Sequence, residues 1–253
     1  MTNALRGPIL GVIIVIAINA AMNAIGLSGL SFASLFPLML AFWFIQRLPA
    51  RELGFAWGRW RDYGLAIFYP VLIIGAIALV CLAAGVVDTA NEPWHSAGKD
   101  FMLALAMSLP LALLTEEGFF RGWLFASLRR AGVSEGRVVI WTAIAFSLWH
   151  LPTVSMNTED ALPLAQIPVL LINAVLIGAI WGLLRSISGS ILVTSVCHSL
   201  WNAAAYVLFG FGTTIGALGV KQTAIYGPES GFLGLGLNLI VAAMLWRWWQ
   251  RRP

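Results

Sequence analysis

The sequence predicts an all-α fold, a polytopic membrane bundle of about eight transmembrane helices with both termini on the same side. Three observations carry this. Sixty per cent of residues are hydrophobic and only 10% are charged, where a soluble domain carries about 25% charge, and the mean hydropathy is +0.86. Apolar runs near the ~20 residues needed to cross the hydrocarbon recur along the whole chain. The cationic residues fall into alternate connections, as in a chain that weaves through a bilayer.

The runs lie roughly at 8–25, 31–47, 64–87, 101–128, 138–151, 164–184, 188–209 and 231–249. The first begins near Ile9 and lacks the small-residue cleavage site of a signal peptide, so it reads as a retained helix. Between the second and third, Leu48 to Tyr63 mixes Arg with Trp and Phe. It reads either as an interfacial amphipathic stretch or as a plain connecting loop. The fourth run is long and carries polar residues, and the fifth is short and predicted to end at Pro152. Irregular helices of this kind are tolerated where they line a protein-buried cavity. No linker, low-complexity run or repeat divides the chain. The prediction is one structural domain, with the first three helices in 1–99, a core of four helices in 100–205, and an outer loop and last helix in 206–253.

Orientation follows from the positive-inside rule. With the N-terminus in the cytoplasm, that side receives Arg6, Arg47, Arg51, Arg59, Arg61, Arg129, Arg130, Arg137, Arg185, Arg247, Arg251 and Arg252. The other side receives Lys99 and Lys221 with the acids Asp88, Glu92, Asp100, Glu159, Asp160 and Glu229. The separation predicts an even number of spans and a C-terminus that is also cytoplasmic. The net charge of +4 is therefore a topology signal and not a nucleic-acid signal. Cys81 and Cys197 both fall in apolar runs, which argues against a disulfide framework.

Against this background, charge inside a span is conspicuous. Glu116, Glu117 and Arg121 lie in the fourth run, and each ionisable group at the bilayer centre costs about 2.5–3.5 kcal/mol on insertion scales. Two of the three histidines are also in spans, in Phe146-Ser-Leu-Trp-His150 and His198-Ser-Leu-Trp-Asn202. The third, His95, falls in an outer loop and reads as a loop residue.

Residues four apart share a helix face, so Glu117 and Arg121 should pair, in the favourable carboxylate-first order. Glu116 points about 100° away and keeps no such partner. It is the candidate general base. The same spacing puts Phe146 with His150 and His198 with Asn202. A histidine–asparagine pair could hold an oxyanion, and a glutamate–histidine pair could orient and deprotonate a water. The blander readings are a structural ion pair, a transporter charge relay, or polar groups joining helices. Depth along straight helices does not by itself bring the three motifs together: Glu116 is about 22 Å from Phe101, His198 about 15 Å from Ser188 and His150 about 18 Å from Val138. A kink or tilt is required. Cys197 and Ser190 are discounted as nucleophiles, and no His-Glu-x-x-His zinc motif occurs.

The order Glu116-Glu-Gly-Phe-Phe-Arg121, Phe146-x-x-x-His150, His198-x-x-x-Asn202 resembles the family of CAAX prenyl proteases and bacteriocin-processing enzymes. The resemblance covers about residues 100–205 and matches in residue type, spacing and order. It implies an intramembrane endopeptidase acting on a membrane-associated peptide, prenylated or bacteriocin-like, in a bacterial cytoplasmic membrane. A lipid on the substrate would enter laterally while its peptide approaches from the cytoplasm. By the same resemblance Glu116 activates water, His150 orients it, His198 and Asn202 stabilise the oxyanion, and Glu117, Arg121 and Phe146 support them. The family has been described both as metal-independent glutamate proteases and as metalloproteases. The preferred mechanism needs no cofactor; under the other, Glu116, His150 and His198 would form a three-ligand zinc site. A non-catalytic scaffold or immunity protein and a proton-coupled transporter are the alternatives from other classes.

Overall fold

A computed structural model describes residues 3–88, 90, 94, 96–156 and 161–252. Glu92, His95, Glu159 and Asp160, named above, lie outside the described residues. Eight helices among the described residues are long and apolar enough to cross a membrane, so the protein is a multi-pass membrane helical bundle.

The chain runs as α1 (Arg6–Ala24), a 3-10 segment Ser28–Ser34 leading into α2 (Leu35–Gln46), and α3 (Trp60–Ala83). α4 (Ala97–Leu114) continues through a π-helical stretch, Glu117–Leu124, into α5 (Phe125–Arg130). Then come α6 (Glu135–Met156), α7 (Ile167–Ser188), α8 (Ile191–Phe209) and α9 (Phe232–Gln250). Between α8 and α9 two two-residue strands, Gly210–Phe211 and Thr214–Ile215, pair antiparallel. α6, α7 and α8 are the most deeply buried spans. α8 packs between α3 and α4, α7 between α6 and α9, and α1 against α6.

One expectation is corrected. Pro152 does not end the fifth span: α6 runs on to Met156 with Pro152 inside it. Proline removes one i→i−4 bond, and a membrane helix tolerates that when neighbouring groups and local adjustment absorb it. Leu48 to Tyr63, read either as an interfacial stretch or as a connecting loop, holds one helical turn, Ala50–Leu53, and the start of α3, with Leu53 buried and Trp57 exposed. Both cysteines are free and buried, in line with the absence of a disulfide framework. Ser190 caps α8, its Oγ accepting from the N–H groups of Leu192 and Val193.

The arginine-bearing ends meet physically. Arg130 Nη1 donates to the Gln46 carbonyl at 2.9 Å, tying α5 to the end of α2. Ser186 Oγ donates to Glu135 at 2.9 Å and accepts from Trp249 Nε1 at 3.1 Å, joining the ends of α7 and α9 to the start of α6. At the far end, Asn23 of α1 meets Thr153 of α6 at 3.4 Å, and the Asp88 N–H donates to the Leu218 carbonyl at 2.9 Å.

Candidate functional site

The fourth span changes its winding where its charges lie. Thr115 leaves the helical region (φ −105°, ψ −91°), and Glu117–Leu124 is wound as a π-helix, a rare form that is frequent at functional sites. Gly118 permits the packing there: a Cβ at that position would sit 2.8 Å from the Leu113 carbonyl oxygen and 2.9 Å from Met39 Sδ. The sequence carried no sign of the π winding.

The predicted ion pair forms within this stretch. Arg121 Nη1 lies 3.0 Å from Glu117 Oε1, and both side chains are 0% exposed. The guanidinium donates its Nη2 to the Gly178 carbonyl at 3.2 Å and lies 4.3 Å above the Phe146 ring. Cation, carboxylate and aromatic face thus lock three spans together.

Adjacent residues on a helix point apart, so Glu116 faces away from this pair and into a cavity of about 180 Å³. His150, His198, Asn202 and Phe146 line the same cavity, so residues from three predicted motifs converge there. Glu116 Oε2 is 3.9 Å from His150 Nε2 and 3.9 Å from His198 Nε2. These distances exceed a direct hydrogen bond and lie within the reach of one bridging water. The side chains of Glu116 and His150 are 17% and 27% exposed, whereas His198 is 3% exposed. The straight-helix depth mismatch is not seen: the fourth span breaks at Thr115, and the three motifs line one cavity.

The histidine ring nitrogens are assigned by their partners. His150 Nδ1 is 2.8 Å from the Phe146 carbonyl, which can only accept, so Nδ1 carries the proton and Nε2 faces Glu116. His198 Nδ1 is 3.1 Å from Glu117 Oε1 and likewise donates. Its ring stacks on Trp181, with centroids 4.1 Å apart and planes at 23°.

Sequence reasoning missed two neighbours. Trp181 was indistinguishable from the other tryptophans of an apolar span. Glu229 was counted only as an outer-loop acid, yet it lines the cavity and accepts from Trp201 Nε1 at 2.9 Å. Asn173 Nδ2 pins its loop by donating to the carbonyls of Pro228 and Glu229, each at 2.9 Å. Burial pushes the Glu229 carboxyl above its ordinary value, and the Trp201 N–H opposes that shift.

One carboxylate and two imidazoles are the right donors for zinc. Among the described residues no group of three His, Cys, Asp or Glu side chains is placed to hold a metal ion.

Residues 98–204, which contain all three motifs, match the family described as type II CAAX prenyl endopeptidase Rce1-like. Over this segment, less than half of the chain, the protein is similar to that family. The chain is also 26% identical over 246 residues to the multidrug resistance protein MdtK of Yersinia enterocolitica, with 83% of this chain and 52% of that protein covered. The chain spans about half the length of this curated relative. The Rce1-like segment ends just past Asn202, so Glu229 lies outside it.

Proposed function

We propose that the protein is an intramembrane endopeptidase that hydrolyses a peptide bond with a water activated by Glu116. The observation that carries this reading is the convergence of Glu116 and His150 Nε2 on one cavity at 3.9 Å, a separation suited to a water held between them. Glu116 removes one water proton while His150 Nε2 accepts the other hydrogen, aiming the oxygen lone pair at the substrate carbonyl carbon. The C–O bond forms and the carbonyl electrons move to oxygen. Asn202 and His198 Nε2 stabilise that oxyanion, a role that requires a proton on His198 Nε2 as well as on Nδ1. Glu117, fixed by Arg121, sits against Nδ1 and offsets the positive charge of such a ring. Collapse breaks the C–N bond, and the proton held by Glu116 passes to the leaving amine. Phe146 and Trp181 set the two histidine rings by packing.

The substrate is a membrane-associated peptide, with a lipid chain accommodated laterally between spans. The preferred chemistry needs no cofactor. Purified protein dialysed against a strong chelator should still cleave a library of prenylated and unprenylated peptides, read by mass spectrometry. Activity lost on chelation and restored by zinc would overturn the glutamate-base reading in favour of a metalloprotease. A second reading, transport through the polar cavity, draws on the likeness to MdtK; substrate uptake by reconstituted proteoliposomes, without peptide cleavage, would favour it.

A further inference from the structure

We infer that the cavity is loaded from the end of the bundle opposite the arginines, and that the substrate is a peptide segment displayed on the extracytoplasmic face of the membrane. The inference rests on the protease reading for its substrate and on geometry alone for its direction.

The rim of the cavity identifies the open end. Thr153 comes from the last turn of α6, Tyr206 from the last turn of α8, Phe211 from the short hairpin and Glu229 from the loop before α9. All four sit at the end where α1 and α6 finish together, joined by the Asn23–Thr153 contact. Tyr206 is exposed, and Glu116, His150 and Asn202 are partly exposed.

Towards the other end the way is filled. Beneath the catalytic groups, Glu117, Arg121, Phe120 and Trp181 are buried as a layer. Below them Arg185, also buried, donates Nε to the Arg121 carbonyl at 3.0 Å and Nη2 to the Glu52 carbonyl at 2.8 Å. That side chain ties the π-helical stretch to the Ala50–Leu53 turn and closes the floor.

The filled end is the one that gathers Arg47, Arg129, Arg130, Arg137 and Arg247, while the open end has Lys99 and Lys221 among the described cations. A bias of this size sets the arginine end in the cytoplasm. The open end then faces outward. A tail presented in the cytoplasm would meet the sealed floor, so the cytoplasmic approach implied by the family resemblance is reversed. A peptide already translocated, or anchored by a lipid with its chain outside, meets the rim.

The test uses full-length protein in its native membrane with single cysteines at Tyr206 or Phe211 on the rim and at Ser134 near the arginine end, probed by a membrane-impermeant maleimide. Cys81 and Cys197 are buried and provide a low background. We expect Tyr206→Cys and Phe211→Cys to label in right-side-out vesicles and not in sealed inverted ones, and Ser134→Cys to show the reverse. Rim labelling confined to inverted vesicles, or absent from both orientations at both rim positions, would overturn the inference. Labelling does not require turnover, so failure of the protease reading leaves this result intact. Conversely, cleavage by inverted vesicles alone would retain the protease and refute outward loading.

Discussion

His198 Nδ1 lies 3.1 Å from Glu117 Oε1, while the opposite nitrogen of the same ring turns towards Glu116 across 3.9 Å. Two neighbouring glutamates therefore address one imidazole from two sides. Glu117 is sealed and bound to Arg121; Glu116 is partly exposed in the cavity. The divergence of adjacent helical side chains leaves one carboxylate sealed against Arg121 and the other open to the cavity, as the proposed base requires.

This division predicts a stability effect at Arg121. Arg121→Met leaves Glu117 buried without its cation and should cost about 3–5 kcal/mol, the usual consequence of breaking a buried pair from one side. Thermal unfolding in detergent should show a lower midpoint. The Glu117→Gln/Arg121→Met double variant should recover a substantial part of that loss, because no uncompensated charge remains.

Asn202 should behave differently. It lines the cavity, and its assigned partner is an oxyanion that exists only during reaction. Asn202→Ala should lower kcat by about 10²–10³ with little change in KM or unfolding midpoint, as loss of one oxyanion donor does elsewhere. A kcat within a few-fold of wild type would remove Asn202 from the chemistry.

Gly178 couples packing to the site. A Cβ there would stand 3.1 Å from Ala143 Cα and 3.3 Å from Arg121 Nη2, at the contact of α6 with α7. Gly178→Ala should cost about 1–3 kcal/mol through overpacking. It should also lower activity, since Arg121 loses its place against the Gly178 carbonyl. Paired unfolding and cleavage measurements check both effects.

Much of this was legible in the sequence for a physical reason: charge inside an apolar span is costly, so Glu116, Glu117, Arg121, His150 and His198 stood out individually. Their i, i+4 partners followed from helix periodicity, and the Glu117–Arg121 pair forms as that periodicity predicts. The convergence of the motifs was not legible, because the sequence shows neither the break at Thr115 nor the π winding after it. Trp181 was hidden by being apolar among apolar neighbours. Glu229 was hidden by distance along the chain, since hydrogen bonds from Asn173 and Trp201 bring its loop onto the cavity.

The central claim is that Glu116 is the base. The most direct measurement compares wild type with Glu116→Gln in detergent against the same peptide library, with unfolding midpoints measured in parallel. Loss of a general base removes about 10²–10⁴-fold of rate, so the account predicts a fall in this range or larger with an unchanged midpoint. Cleavage by Glu116→Gln at the wild-type rate would contradict it.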